Sequence, residues 1–315
     1  MQLDRVGNAL RHPLMIPRYL NHRRKLLYLL YRQRRNNGIL SVNLEMRTGF
    51  FSHLAWATAI LSYCHEYKLI PHVTVSNPRY TDPRRGPDCL AYFFENAAQE
   101  FIDANLVETT TIHAFRDLGL PTWCPSQLTL EHGSMLFHRY MPVREEIVDE
   151  IDEFCAAHFE GRSVLGVHFR GTDKHTEAPR VSPEQCRQAI SRYLTEHPEV
   201  DRVFVASDES QFIRYIQDAF RSVRVCFCDD QRSDGTLAVH DPAFGGDNYK
   251  KGREALVNCI LLSRCHTLIR TVSTLSGWAS VFNPSLPIIL LNEPYPGKFW
   301  FPDREMISRA RMADR

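Results

Sequence analysis

The sequence predicts an α/β protein made of two doubly wound, Rossmann-type domains that face each other across a cleft. Three observations predict it. Near the amino terminus, Gly38 to Leu44 (GILSVNL), a helical stretch from about Ser52 to Tyr67 and strand-like Ile70 to Ser76 form a strand–helix–strand unit, the building block of a parallel sheet. From about residue 145 onward, apolar runs of strand length alternate with helical stretches, which is the pattern of a doubly wound sheet. Polar residues crowd just beyond the carboxyl ends of those runs, where open α/β sheets bind their ligands.

The elements follow in order. Residues 78–88 are loop, rich in Pro, Arg, Asp and Gly, and residues 89–104 have helical spacing of apolar positions. An acidic helix, Glu145 to Phe159, precedes the buried strand SVLGVHF. A helix is expected over Pro183 to Glu196, then the strand VDRVFVAS, a helix from about Ser210 to Phe220 and the strand VRVCFC. A long polar loop reaches Lys251, and a helix runs from about Arg253 to Arg264. The strand TLIRTV, a helix from about Leu275 and the strand PIILL complete the series. The expected division is a basic helical segment over 1–36, an amino-terminal α/β domain over 37–145, a Rossmann-like domain over 146–298 and a tail or helix over 299–315.

Bulk properties narrow the function less. The chain has 315 residues, 43% hydrophobic and 24% charged, with a net charge of +1, so nothing global calls for nucleic acid. Nine cysteines, without a CxxC pair, read as buried free thiols, Cys226 and Cys228 on one strand face among them. Reduced thiols and the lack of a secretory signal lead to a cytoplasmic expectation. Residues 1–36 carry nine Lys/Arg against one acid, Asp4. They read as a basic, partly amphipathic helix that caps the fold or rests on an anionic membrane surface.

The segment most charged with chemistry is Val167 to Ala178, VHFRGTDKHTEA. A strand ends at Phe169, and Arg170, Asp173, Lys174 and Glu177 follow within eight residues. Arg170 suits a diphosphate through its planar, bidentate fork. Lys174 adds a point charge, and Glu177 can take a proton from a hydroxyl. His168 at the strand end either bonds a nucleotide or is a satisfied structural histidine. Asp208 and Glu209 stand just past another strand. Ser273 and Thr274 open the last helix of the series, whose free N–H groups attract anions. At the other end of the chain, the turn Arg47-Thr48-Gly49-Phe50-Phe51-Ser52 follows a strand and starts a helix, so its backbone at Gly49 and Phe50 can approach a phosphate or sugar or can be a plain turn. Tyr80, Arg84, Arg85, Tyr92, Phe93 and Phe94 are candidates for an acceptor groove, with core packing the better role for the phenylalanines. Asp247, Tyr249, Lys250 and Lys251 sit in a loop able to close over a ligand.

Three stretches together resemble the α-1,6-fucosyltransferases, among them the core N-glycan enzyme and the rhizobial enzyme that fucosylates nodulation factors. HFRGTDKHTEA is similar to that family's HxRRTDK…EA signature, VFVASDE (203–209) to its second motif and LLSRCHTLIRTVSTLSGWAS (261–280) to its third. The resemblance covers roughly residues 165–285. It implies a GT-B fold, GDP-fucose as donor substrate and no further cofactor. Arg170 would grip the β-phosphate, Lys174 would support charge at the reacting centre, Glu177 would be the base and Ser273 would donate to a phosphate oxygen. Asp208 and Glu209 would face the nucleotide. Three departures stand out. Gly171 replaces the family's second arginine, the Lys174–Glu177 spacing is one residue shorter, and Asn258 stands where a family aspartate helps to hold guanine. An amide is a poorer partner than a carboxylate for guanine's N1–H and N2–H donors.

No Asp-x-Asp pair, no HExxH and no matching Cys/His spacing occur in the chain, so no metal is expected, and fixed cations would neutralise the leaving group. The resulting expectation is an inverting, metal-independent glycosyltransferase that moves fucose from GDP-fucose to a hydroxyl of a glycan acceptor, with residues 37–145 on the acceptor side and 146–298 holding the nucleotide sugar. One alternative keeps the fold with another donor or a protein acceptor, as in O-fucosyltransferases. An alternative of another class is a nucleotide-sugar-binding protein without catalysis.

Overall fold

The computed structural model describes residues 38–45, 47–96, 110–111, 128–171, 176–234, 239 and 242–313. The expected basic helix over 1–36 lies outside them, as do Asp173 and Lys174.

The described strands fall into two parallel sheets. The amino-terminal sheet has the order β2-β1-β3, with β1 over Ile39–Glu45, β2 over Ile70–Ser76 and β3 over Thr110–Thr111. Helix α1, Phe50–Tyr67, joins β1 to β2. The second sheet has five strands: β4 (Ser163–Phe169), β5 (Val200–Ser207), β6 (Arg224–Cys226), β7 (Thr267–Arg270) and β8 (Ile288–Leu290). Its order is β6-β5-β4-β7-β8, the doubly wound arrangement that reverses direction between its first and fourth strands. The reversal here lies between β4 and β7, which pair from Leu165↔Thr267 to His168↔Arg270.

Burial explains why these strands were legible. In β4, six of seven residues are buried, as expected when both faces of a parallel strand are covered. Leu165, Val167 and Phe169 join one apolar cluster with Ile190 and Ile213 of the helices α4 (Pro183–Glu196) and α5 (Ser210–Ala219). Val164 faces the opposite cluster with Leu256 and Leu262 of α6 (Asn248–Ser263). Helix α4 begins at a capping box: the Ser182 hydroxyl accepts from Gln185 N–H, and the Gln185 side chain accepts from Ser182 N–H, satisfying two orphan donors.

Several expected boundaries move. Residues 89–96 are turns rather than the start of a helix, because Asp88 accepts from the N–H of Leu90 and of Val75 and fixes the chain as a turn against β2. Helix α6 starts at Asn248, not at Arg253: Asp247 caps it by accepting from Lys250 N–H at 3.0 Å. Tyr249, Lys250 and Lys251 are therefore helical and not part of a loop. Strand β6 stops at Cys226, so Cys228 is past its end. The eight described cysteines are free thiols. Among the described residues, two helices lie between β3 and β4: α2, Leu130–Tyr140, with Thr129 capping through His132 N–H, and α3, Glu145–His158.

One apolar cluster is continuous between the two sheets. Trp278 on α7 (Thr274–Phe282) belongs to it, fully buried and edge-on against Phe137 of α2 at 5.0 Å. Phe93 stacks on Tyr249 of α6 at 5.3 Å. A polar tie crosses as well: Asn248 donates to the Pro78 and Thr81 carbonyls; within the second unit, Arg253 pairs with Glu150 at 2.6 Å.

The last helix, α8 (Asp303–Ala313), closes the structure. Arg270 on β7 is fully buried. It donates to Asp303 at 2.7 Å, to the Ser276 hydroxyl at 2.9 Å and to the Ser273 carbonyl at 2.9 Å. Removing one member of a buried pair strands the other charge. Asp303→Ala is therefore expected to lower unfolding free energy by about 3–5 kcal/mol, measured by urea denaturation against the parent chain; a loss under about 1 kcal/mol contradicts this view of the pair.

Candidate active site

A cleft of about 570 Å³ opens between the two sheets. One wall comes from the amino-terminal half: the turn Arg47–Ser52, together with Arg79 and Tyr80. The other comes from the carboxyl edges of β4, β5, β6 and β7 and from the segment before α8. Both walls are set by buried polar contacts. Asn77 donates to the Thr48 carbonyl at 3.0 Å and meets His53 Nε2 at 3.0 Å, so His53 fixes the turn through Asn77. On the other wall, the N–H of Arg170 donates to Thr271 Oγ1 at 3.1 Å, and Thr271 N–H donates to the His168 carbonyl at 3.1 Å. These two bonds lock the end of β4 to the start of the turn that leads into α7.

Of the residues singled out in the sequence, Gly49, Phe50, His168, Arg170, Glu177, Asp208, Asn258 and Thr274 all line this cleft. Arg170 carries an ion pair to Asp208 at 3.9 Å, both side chains being mostly covered. Phe50 is largely a wall residue, in edge contact with Phe93 and Tyr80. Gly49 precedes α1, and a Cβ there would meet nothing within 4 Å, so the chain itself does not demand glycine at that turn.

Two residues are placed elsewhere. Ser273 is 1% exposed, and its hydroxyl is buried without a hydrogen-bond partner, so Thr274 is the residue of that helix start that borders the cleft. Glu209 lies against Gly171 in a neighbouring pocket of about 400 Å³. A Cβ at 171 would stand 2.5 Å from Glu209 Oε1, so the glycine lets the carboxylate occupy that space. Arg84 and Arg85 turn toward Asp82, while Phe93 and Phe94 are core.

Asp230, Gln231, Glu254, Lys298 and Trp300 also line the cleft and are not among the residues expected from the sequence. Asp230 had a signal: it follows β6 as Arg170 follows β4 and Asp208 follows β5, at the same edge of the sheet.

The electrostatics are those of a half-dried site. Burial, with Arg270 and Arg170 nearby, pushes the His168 imidazole well below its ordinary range, so it is neutral near pH 7. Its Nδ1 is buried without a partner. Burial raises Asp230 and Glu254, against the Asn258 hydrogen bond in the first case and Gln231 and Lys250 in the second. Burial lowers Lys251. Among the described residues, no group of three or more His, Cys, Asp or Glu is placed to hold a metal ion.

Two facing α/β units around such a cleft define the GT-B class of fold. The structure is similar to that of NodZ α-1,6-fucosyltransferase soaked with GDP-fucose, with a TM-score of 0.56 and 19% identity over 80% of this chain and 94% of that one. It is also similar to the fucosyltransferase NodZ from Bradyrhizobium, with a TM-score of 0.54 and 18% identity over 80% and 96%. The family model described as Nodulation protein Z (NodZ) matches residues 117–308, and the chain belongs to that family. Nodulation protein Z of Bradyrhizobium diazoefficiens is 30% identical over 169 residues, 50% of this chain and 44% of that protein. Its counterpart in Sinorhizobium fredii is 28% identical over 163 residues, 48% and 49% respectively. These matches span about half the length of the curated relatives.

His53 gives the site a pH-dependent support. Burial lowers it from 6.5 to about 4, so the folded state holds it neutral while the unfolded chain takes up a proton below pH 6.5. Its contribution is complete above 6.5 and is lost as pH falls toward 4. Asp88, raised to about 6 by burial, acts in the opposite sense, so the difference between variants is the clean readout. From pH 7 to pH 5, the stability of the parent relative to His53→Gln is expected to fall by about 2 kcal/mol, measured by denaturant titration at both values; a pH-independent difference contradicts it.

Proposed function

We propose that this chain is a glycosyltransferase that moves fucose from GDP-fucose to a hydroxyl of a glycan acceptor. The observation that carries the reading is the meeting of Arg170 with the start of α7 at the β4–β7 reversal, inside a cleft faced by Arg47 and Arg79. An arginine fork, further cations and a helix N-terminus lining one cleft suit a diphosphate. Membership of the NodZ family supports the choice of donor. One structural neighbour, a NodZ α-1,6-fucosyltransferase soaked with GDP-fucose, agrees with it.

In the proposed reaction an acceptor hydroxyl attacks the anomeric carbon of fucose in line with the leaving group. The bond from that carbon to the β-phosphate oxygen breaks with its electron pair, and configuration inverts. Glu177, which lines the cleft with its carbonyl tied to Tyr295 N–H, takes the hydroxyl proton. GDP leaves with the negative charge, stabilised by Arg170, by the α7 N-terminus and by Lys174, which the family resemblance assigns to this role. We propose that the fixed cations make a divalent ion unnecessary. Residues 1–36 are proposed to hold the chain at an anionic membrane surface on the cytoplasmic side; none of the described helices is long and apolar enough to cross a membrane.

GDP is expected to raise the melting temperature more than UDP or ADP. At a hundredfold excess over its Kd a ligand adds about 2.7 kcal/mol, which thermal-shift measurements detect. Equal shifts, or a UDP preference, would sink the donor assignment; loss of turnover in EDTA with recovery in Mg²⁺ would sink the metal-free step.

Binding and chemistry separate by mutation. Arg170→Ala is expected to weaken GDP binding and turnover together, since a phosphate partner acts in ground and transition states alike. Glu177→Gln should keep GDP binding and slow turnover by roughly 10²–10⁴-fold, read as GDP release with acceptor present. Near-normal turnover in Glu177→Gln, with loss in Asp208→Asn, moves the base to Asp208.

A further inference from the structure

The position where the family resemblance places a guanine-binding aspartate is Asn258, which lines the cleft with its amide nitrogen committed inside the protein. Its amide donates to Asp230 Oδ2 at 2.7 Å and to the Glu254 carbonyl at 2.8 Å. Its own Oδ1 is buried without a partner. That oxygen is one acceptor, so a base edge with two adjacent donors needs a further acceptor from another side chain. Glu254 is engaged: it accepts from Gln231 N–H at 3.1 Å and pairs with Lys250 at 3.4 Å. Asp230 borders the cleft with its side chain 15% exposed. Asn258 and Arg232 both meet its Oδ2, which orients the carboxylate on the rigid edge between β6 and α6.

We infer that Asp230 reads the nucleotide base, as the carboxylate that accepts from guanine N1–H and N2–H, with Asn258 as the positioning residue that holds it. This rests on GDP-fucose as the donor and adds which residue selects it. The chemistry is specific. Guanine presents two adjacent donors on one edge, which match the two oxygens of a carboxylate. Adenine presents an acceptor at N1, and uracil a single N–H flanked by carbonyls. Hypoxanthine keeps N1–H and lacks the amino group. The site is partly desolvated, and burial raises Asp230; two donors from a base favour its charged form and are worth more there than in water.

The test is calorimetric titration of the parent chain, Asp230→Asn and the exchanged double variant Asp230→Asn/Asn258→Asp with GDP, IDP and ADP. The parent is expected to bind GDP most tightly, IDP about tenfold less and ADP about a hundredfold less. Asp230→Asn should weaken GDP by about 10- to 100-fold and leave ADP unchanged within about threefold, so that ADP also reports an intact fold. The exchange returns a carboxylate and an amide to the same contact and should restore most of the GDP preference. If Asp230→Asn keeps the parent's GDP-to-ADP ratio, Asp230 is not the base reader while the donor reading stands. Should Asp230→Asn fail to bind ADP, the exchanged variant decides: restored GDP preference supports the inference, and a lost preference with ADP binding intact overturns it. A parent chain without GDP preference overturns the donor reading and this inference with it.

Discussion

A single buried guanidinium organises the functional edge of this fold. Burying an isolated cation is prohibitively costly unless it is paired and its donors are used. Arg270 meets that demand with Asp303, the Ser276 hydroxyl and the Ser273 carbonyl. The consequence is geometric. The end of β7, the turn to α7 and the first residue of α8 must take fixed relative positions for the charge to be satisfied. The approach is close enough that a Cβ at Gly277 would stand 2.8 Å from Asp303 Oδ1. Just before Asp303, Phe301 packs on Trp278 and reaches Gly133 of α2. The pair thereby ties the β4–β7 reversal to the amino-terminal half and defines the back of the cleft.

The same cation shapes the charge of the site. His168 lies on β4 opposite Arg270 in the β4–β7 register, and its burial beside Arg270 and Arg170 keeps it neutral. A neutral imidazole adds no repulsion to Arg170 and Arg270 beside it. Tyr80 on the facing wall is buried too, and burial raises its phenol, with Arg170 and Arg79 opposing. Arg79 and Arg170, both partly covered, line the cleft, and an anion beside them gains more than it would in open water.

What the sequence disclosed follows from what local pattern can encode. SVLGVHF and VDRVFVAS carry their own burial and coincide with β4 and β5, and the Pro183–Glu196 helix carries its own cap. Polar residues past strand ends were legible because chain direction and sheet edge coincide, so Arg170 and Asp208 fell in the cleft. Other features depend on contacts across the chain. The start of α6 hangs on the Asp247 cap, hidden in a polar stretch. The burial of Ser273 depends on Arg270 gripping its carbonyl from β7, which no spacing rule contains. The Asn258–Asp230 bond joins residues 28 apart, so the amide could be read from sequence but not its partner.

The two family departures that looked like losses have neighbours that change their meaning. At position 171 an arginine is missing, and Glu209 lies where that side chain would begin. Burial and Asp208 raise this carboxylate, so the local exchange replaces a cation with a group that is less readily charged than an exposed acid. At position 258 a carboxylate is missing, and one stands 2.7 Å away on the next element of the same edge. A substitution that removes a buried charge normally leaves its partners unsatisfied; here the amide of Asn258 satisfies Asp230 and the Glu254 carbonyl together. The second case therefore has the form of a relocated carboxylate, with amide and acid in exchanged places. The first has no such partner and changes the charge of the pocket beside Arg170.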